Sequence, residues 1–108
     1  MSGAPAPAGT TGPDVPTRER TRSLEETLPP YTVVLHDDDV NSMDYVVAAL
    51  MRSVPELDVE RAATIMLTAH HHGRADVITC PLERAELYRD RLERHGLTAT
   101  IRRGSAAL

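Results

Sequence analysis

Tyr31, Val33 and Leu35 alternate with Thr32 and Val34, and that period of two predicts a first strand. Asp37 to Val40 break the pattern with turn-forming carboxylates. Asn41 then reads as an N-cap, with Asp44 at the third helical position in a loose capping box. Met43, Val46, Val47, Leu50, Met51 and Val54 recur at helical spacing until Pro55 stops the run. Asp58 caps a second helix whose stripe is Val59, Ala62, Ile65, Met66 and Ala69, with Glu60 suited to the dipole and Gly73 to a left-handed end. A short strand from Ala75 to Cys80 has Val77 and Ile78 near its centre. Pro81 opens a third helix in the first turn, where proline is tolerated, and Leu82, Ala85, Tyr88 and Leu92 line one face before Gly96. Leu97, Ala99 and Ile101 alternate as a last strand. The order βααβαβ predicts a small single α/β (α+β) domain. Three helices pack on one side of a short antiparallel three-stranded sheet around one shared core.

Composition narrows this picture. The 108 residues include Tyr31, Tyr45 and Tyr88 but no Phe or Trp, so Val, Leu, Ile, Met and Ala must build the core. From residue 1 to about 28 the chain is rich in Pro, Ala, Gly and Thr, then in charge, and such a segment buries too little apolar surface to offset its entropy. A disordered N-terminal extension over 1–28 and a folded domain over 29–104 are expected. Net charge is −4 and every basic residue is Arg, which without an aromatic-basic stripe argues against nucleic-acid binding. Cys80 is the one cysteine, so no intrachain disulfide forms. With no signal-like N-terminus and no membrane-length apolar run, a soluble cytoplasmic protein with no membrane partner is expected.

The most specific chemistry is Asp37-Asp38-Asp39 between strand and helix. Adjacent carboxylates are not buried together without cations or donors. They serve either as a solvated turn capping backbone amides or as an amine or metal site. No Gly-x₅-Glu continuation follows, which excludes the usual calcium loop. His70-His71-His72 cannot converge on one ion, because consecutive helical residues point about 100° apart. They suit a helix C-terminus instead. Cys80 reads as a buried structural thiol rather than a nucleophile. Met43, Met51 and Met66 suit a core, yet Met43 follows the aspartates and Met66 lies one turn before His70. That placement allows a cavity with an apolar floor and a charged mouth.

The run Tyr31-x-Val33-x-Leu35-x-Asp37-Asp38-Asp39-x-x-x-Met43 is followed by Asp58-Val59-Glu60-Arg61-Ala62 and by Met66-Leu67-x-x-His70-x-x-Gly73-x-Ala75. Together they resemble the ClpS family, adaptors that deliver N-degron proteins to the ATP-dependent Clp protease. The resemblance spans about Pro29 to Arg103 and implies a binding module that is no enzyme and carries no cofactor. It implies that Asp37, Asp38 and His70 surround a substrate's free α-amino group, with Asp39 in the same acidic run. Asn41 and Met43 would form the rim, with Met43 a gate against β-branched first residues. Val46, Met66 and Ala69 would line the apolar hole, with Leu97 as a further lining residue. Substrates would begin with Leu, Phe, Tyr or Trp. The other implied partner is the N-terminal domain of a Clp unfoldase, ClpA or ClpC. Glu83 matches an acidic contact there, and a basic contact falls on Tyr88 with Arg84 and Arg89 nearby. The N-terminal extension would engage the unfoldase.

Departures from the family pattern bear on the pocket. Asp37 stands where Asn is common, and an ionised Asp only accepts, which still serves an ammonium. Asn41 stands where Thr is common, and Ala69 where a larger Val is common. These suggest a roomier pocket favouring aromatic first residues. Two other readings remain: an interaction domain of the same fold without amine recognition, and a small metal-dependent enzyme using Asp37 to Asp39 with the histidines.

Overall fold

The computed structural model describes residues 29–106. The expected N-terminal extension over 1–28 lies outside the described residues. Elements follow in the predicted order: β1 (Tyr31–His36), α1 (Met43–Ser53), α2 (Val59–His72), β2 (Arg74–Cys80), α3 (Leu82–Arg94) and β3 (Ala99–Arg103).

β1 is the central strand of an antiparallel sheet ordered β2-β1-β3, which is why Thr32 to Leu35 are all buried. Strand parity sends Val33 and Leu35 into the core with Ala75, Val77 and Ala99, and turns Thr32, Val34 and His36 to the second face. Thr32 is fully buried there without penalty: its hydroxyl donates to the Gly104 carbonyl at 2.7 Å and lies 2.9 Å from the Thr79 hydroxyl. Val33 pairs with Ile78 but Val34 with Asp76, so Val77 is an extra residue in the ladder. This bulge lets the successive apolar residues Val77 and Ile78 both pack against the core.

Val46, Ala49 and Leu50 of α1, Ala62, Ile65 and Ala69 of α2, and Ala85, Tyr88 and Leu92 of α3 complete one core. The apolar stripes reach beyond it. Met43, Val59 and Leu82 are 47%, 57% and 41% exposed because each is the first residue of its helix and overhangs the packed turn. Met51 also stays exposed on the outer flank of α1.

The helix ends follow cap chemistry, with corrections of one residue. Asp58 caps α2 by accepting from the Arg61 amide at 2.8 Å, and Gly73 closes that helix at φ 90°, as the sequence indicates. Pro81 is the N-cap of α3 rather than its first helical residue. Ser42, not Asn41, caps α1, its hydroxyl accepting from the Tyr45 amide at 3.2 Å. Asn41 is committed elsewhere, and the reason lies in the loop before α1.

Candidate functional site

β1 delivers the chain to Asp37, whose amide donates to the Gly73 carbonyl at 2.9 Å and so ties the acidic loop to the end of α2. The Asp38 carboxylate then organises the loop. Its Oδ1 accepts from the amides of Val40 at 2.7 Å and Asn41 at 3.0 Å, and its Oδ2 accepts from the Asn41 side-chain amide at 2.6 Å. The same Asn41 amide reaches the Gly96 carbonyl at 3.5 Å, and the Tyr45 hydroxyl donates to the His95 carbonyl at 2.7 Å. The loop is thereby held between α2 and the turn after α3. Burial alone would raise the Asp38 pKa, but the bonds from Asn41 and Val40 outweigh it and hold the carboxyl below its ordinary value. Asp38 is therefore an anion whose oxygens are fixed in direction.

One turn of α2 brings His70 alongside. Its Nδ1 lies 3.7 Å from Asp37 Oδ1, which also accepts from the Asp38 amide at 2.9 Å. The structure gathers Asp37, Asp38, Asn41 and His70 at the polar side of one small hollow. Met43, Val46, Met66 and Ala69 supply its apolar side. Leu35 and His36 line it as well and were absent from the expected set. Their signal was available: Leu35 has the parity of a core residue, and His36 directly precedes the acidic loop.

The hollow holds about 20 Å³, room for about one water. Two unbranched, adaptable methionines line the hollow, and such side chains fill irregular gaps.

Other expected residues fall outside. Asp39 is exposed and does not line the hollow; Leu97 is 3% exposed but belongs to the core, not to the lining. Tyr88 cannot present a partner contact at the surface, because it is 6% exposed and its hydroxyl donates to the Glu56 carboxylate at 2.8 Å. Burial and that bond push its pKa up. Glu83 and Arg84 are exposed on α3, whereas Arg89 pairs with Asp90 at 3.1 Å. Cys80 is buried, and burial raises its thiol pKa more than Arg84 lowers it, which suits a structural thiol. His70, His71 and His72 are all exposed in the last turn of α2. Among the described residues no group of His, Cys, Asp and Glu side chains is disposed to hold a metal ion. No helix among them is long and apolar enough to cross a membrane.

Comparison with known proteins identifies the family. Residues 26–100 match the family model of the ATP-dependent Clp protease adaptor protein ClpS. The ATP-dependent Clp protease adapter protein ClpS of Gloeobacter violaceus is 45% identical over 84 residues, covering 78% of this chain and 90% of that protein. The chloroplastic adapter protein CLPS1 of Arabidopsis thaliana is 39% identical over 80 residues, covering 74% of this chain and 50% of its own. The solved structure of Agrobacterium tumefaciens ClpS2 bound to L-phenylalaninamide superposes with a TM-score of 0.66 at 25% identity, covering 69% of this chain and 96% of that one. Fold, motif spacing and relatives agree: the chain belongs to the ClpS family of ATP-dependent Clp protease adaptor proteins.

Proposed function

We propose that the folded unit over residues 29–104 binds the free α-amino group and bulky apolar first side chain of N-degron proteins and delivers them to a Clp unfoldase, ClpA or ClpC. The carrying observation is the lining of one hollow by fixed carboxylate oxygens on one side and by Met43, Val46, Met66 and Ala69 on the other. An ammonium needs acceptors and the adjoining side chain needs an apolar floor. L-phenylalaninamide, the ligand of the Agrobacterium structure, carries both a free α-amine and an aromatic ring. Asp37, Asp38 and His70 are the amine-binding groups in this reading, with Asn41 and Met43 at the rim. Glu83 and Arg84 are the residues offered to the unfoldase.

A hollow of about 20 Å³ does not admit a Leu or Phe side chain as it stands. Entry requires lining side chains to move, and Met43, already 47% exposed at the start of α1, is the one with the freest path. The energetics suit transient capture. Burying one Leu or Phe side chain contributes about 1.5–3 kcal/mol. Each charge-assisted hydrogen bond to the ammonium contributes about 1.5–3 kcal/mol more. After the loss of translational and conformational freedom, a dissociation constant on the order of micromolar remains.

Peptides identical except for their first residue test the reading by fluorescence titration. Those beginning with Leu, Phe, Tyr or Trp are expected to bind at least about tenfold more tightly than those beginning with Ala or Val. Equal binding across the series would show that no first-residue pocket operates.

A further inference from the structure

The hollow is not the largest concavity of the chain. A groove of about 690 Å³ runs over the second face of the sheet and along α2. His36 lines both, so the groove begins where the hollow ends. Its charge is opposite to that of the acidic loop. Arg61, Arg74 and Arg102 line it against the single carboxylate of Asp76. Arg102 is occupied, donating to Asp76 Oδ2 at 2.9 Å and to the Ser105 carbonyl at 2.8 Å. Arg61 and Arg74 are exposed and have no side-chain hydrogen bond or ion pair within the described residues. A pair of guanidinium groups without an ion partner among the described residues stands out in one groove of a chain of net charge −4.

The placement of these arginines along the groove is ordered. Arg74 is the ladder partner of His36, at the hollow's edge. Arg102 pairs with Thr32, four residues back along β1, which puts it about 13 Å further on. Arg61 precedes His70 by nine helical residues, a similar distance of about 13 Å along α2. An extended peptide advances about 3.3–3.6 Å per residue, so the groove spans about four residues of a chain leaving the hollow.

We infer that this groove receives the substrate segment downstream of the first residue and favours Asp and Glu side chains there, with Arg74 and Arg61 as their partners. This rests on the amine-pocket reading above. Anionic side chains at the second position face Asp37 and Asp38 and are repelled. Those at about the third to seventh positions pass beyond the acidic loop and meet the arginines. The adaptor would thus sort substrates by charge register as well as by first residue.

The test uses the full chain and C-terminally labelled peptides that begin with Phe, either neutral or with aspartates at about the third to seventh positions. Each is prepared with a free and an acetylated N-terminus. At low salt the acidic free-amine peptide is expected to bind about three- to tenfold more tightly than the neutral one. That advantage should disappear in the Arg61→Ala/Arg74→Ala double variant, in which binding of the neutral peptide stays unchanged, and it should shrink as salt rises. Equal affinities in the parent chain, or an acidic advantage that survives the double substitution, would overturn the groove assignment while leaving the pocket standing. If the neutral free-amine peptide binds no better than its acetylated form, the pocket reading itself fails, and this inference with it.

Discussion

Asp38→Ala is expected to weaken binding of a Phe-initiated, free-amine peptide by about ten- to a hundredfold. The carboxylate acts twice. It offers a negative charge at the hollow, and it accepts the Val40 and Asn41 amides and the Asn41 side chain that shape the loop. Alanine removes both roles. Asp38→Asn removes the charge and the acceptor for the Asn41 side chain, while its remaining oxygen can still accept the Val40 and Asn41 backbone amides. A clear loss in Asp38→Asn that exceeds the loss in Asn41→Ala, which breaks the same side-chain bond but keeps the charge, would assign binding to the charge; parent-like affinity in Asp38→Asn would leave Asp38 with the backbone amides of the loop alone. The pH response follows from the depressed pKa. The unfolded chain takes up this proton more readily, so the stabilisation from Asp38 is complete above the unfolded value and is lost as pH falls through the lower folded value. Its contribution to stability should therefore be full above the ordinary carboxylate range, shrink as pH falls through that range, and be gone once pH passes below the folded value.

Leu50→Ala is expected to destabilise the domain by about 2–5 kcal/mol. Leu50 is fully buried and among the largest such side chains. It lies on α1 one turn after Val46, which is buried at the apolar side of the hollow. Its neighbours cannot collapse freely, because sheet and helices share a single cluster of small and branched residues with no Phe or Trp to spread into the gap. A thermal midpoint lowered by roughly 10–25 °C is the expected reading for a domain of this size. A shift within a few degrees would mean that the core repacks around the loss. Since a small domain has only about 5–15 kcal/mol to lose, peptide binding should be measured well below the transition.

Much of this was legible in the sequence where local chemistry and tertiary packing agree. The period-two run at Tyr31 to Leu35, the Asp58 cap and the left-handed Gly73 each correspond to an element or boundary found in the structure. The chain also brings Asp37, Asp38, Met43 and His70 to one place, a grouping that the family resemblance implied. What escaped depended on partners remote in sequence. Asn41 and Ser42 are equally good caps in isolation, and the bonds from Asn41 to Asp38 and Gly96 decide between them. Tyr88 sits at a plausible contact position on α3, but its rotation toward Glu56 places it inside. Leu97 is apolar and close in sequence to the Gly96 turn, yet the core takes it. The basic groove left no sequence pattern at all, because Arg61, Arg74 and Arg102 come from a helix and two non-adjacent strands.

The central claim, capture of a free chain start by the Asp37–Asp38–His70 hollow, is tested most directly by one paired titration. The same Phe-initiated peptide is offered with its α-amine free and with it acetylated. Acetylation removes the cation and leaves the carboxylates facing an uncharged amide. The account predicts a loss of about a hundredfold or more in affinity. Equal affinity for the two peptides would contradict it.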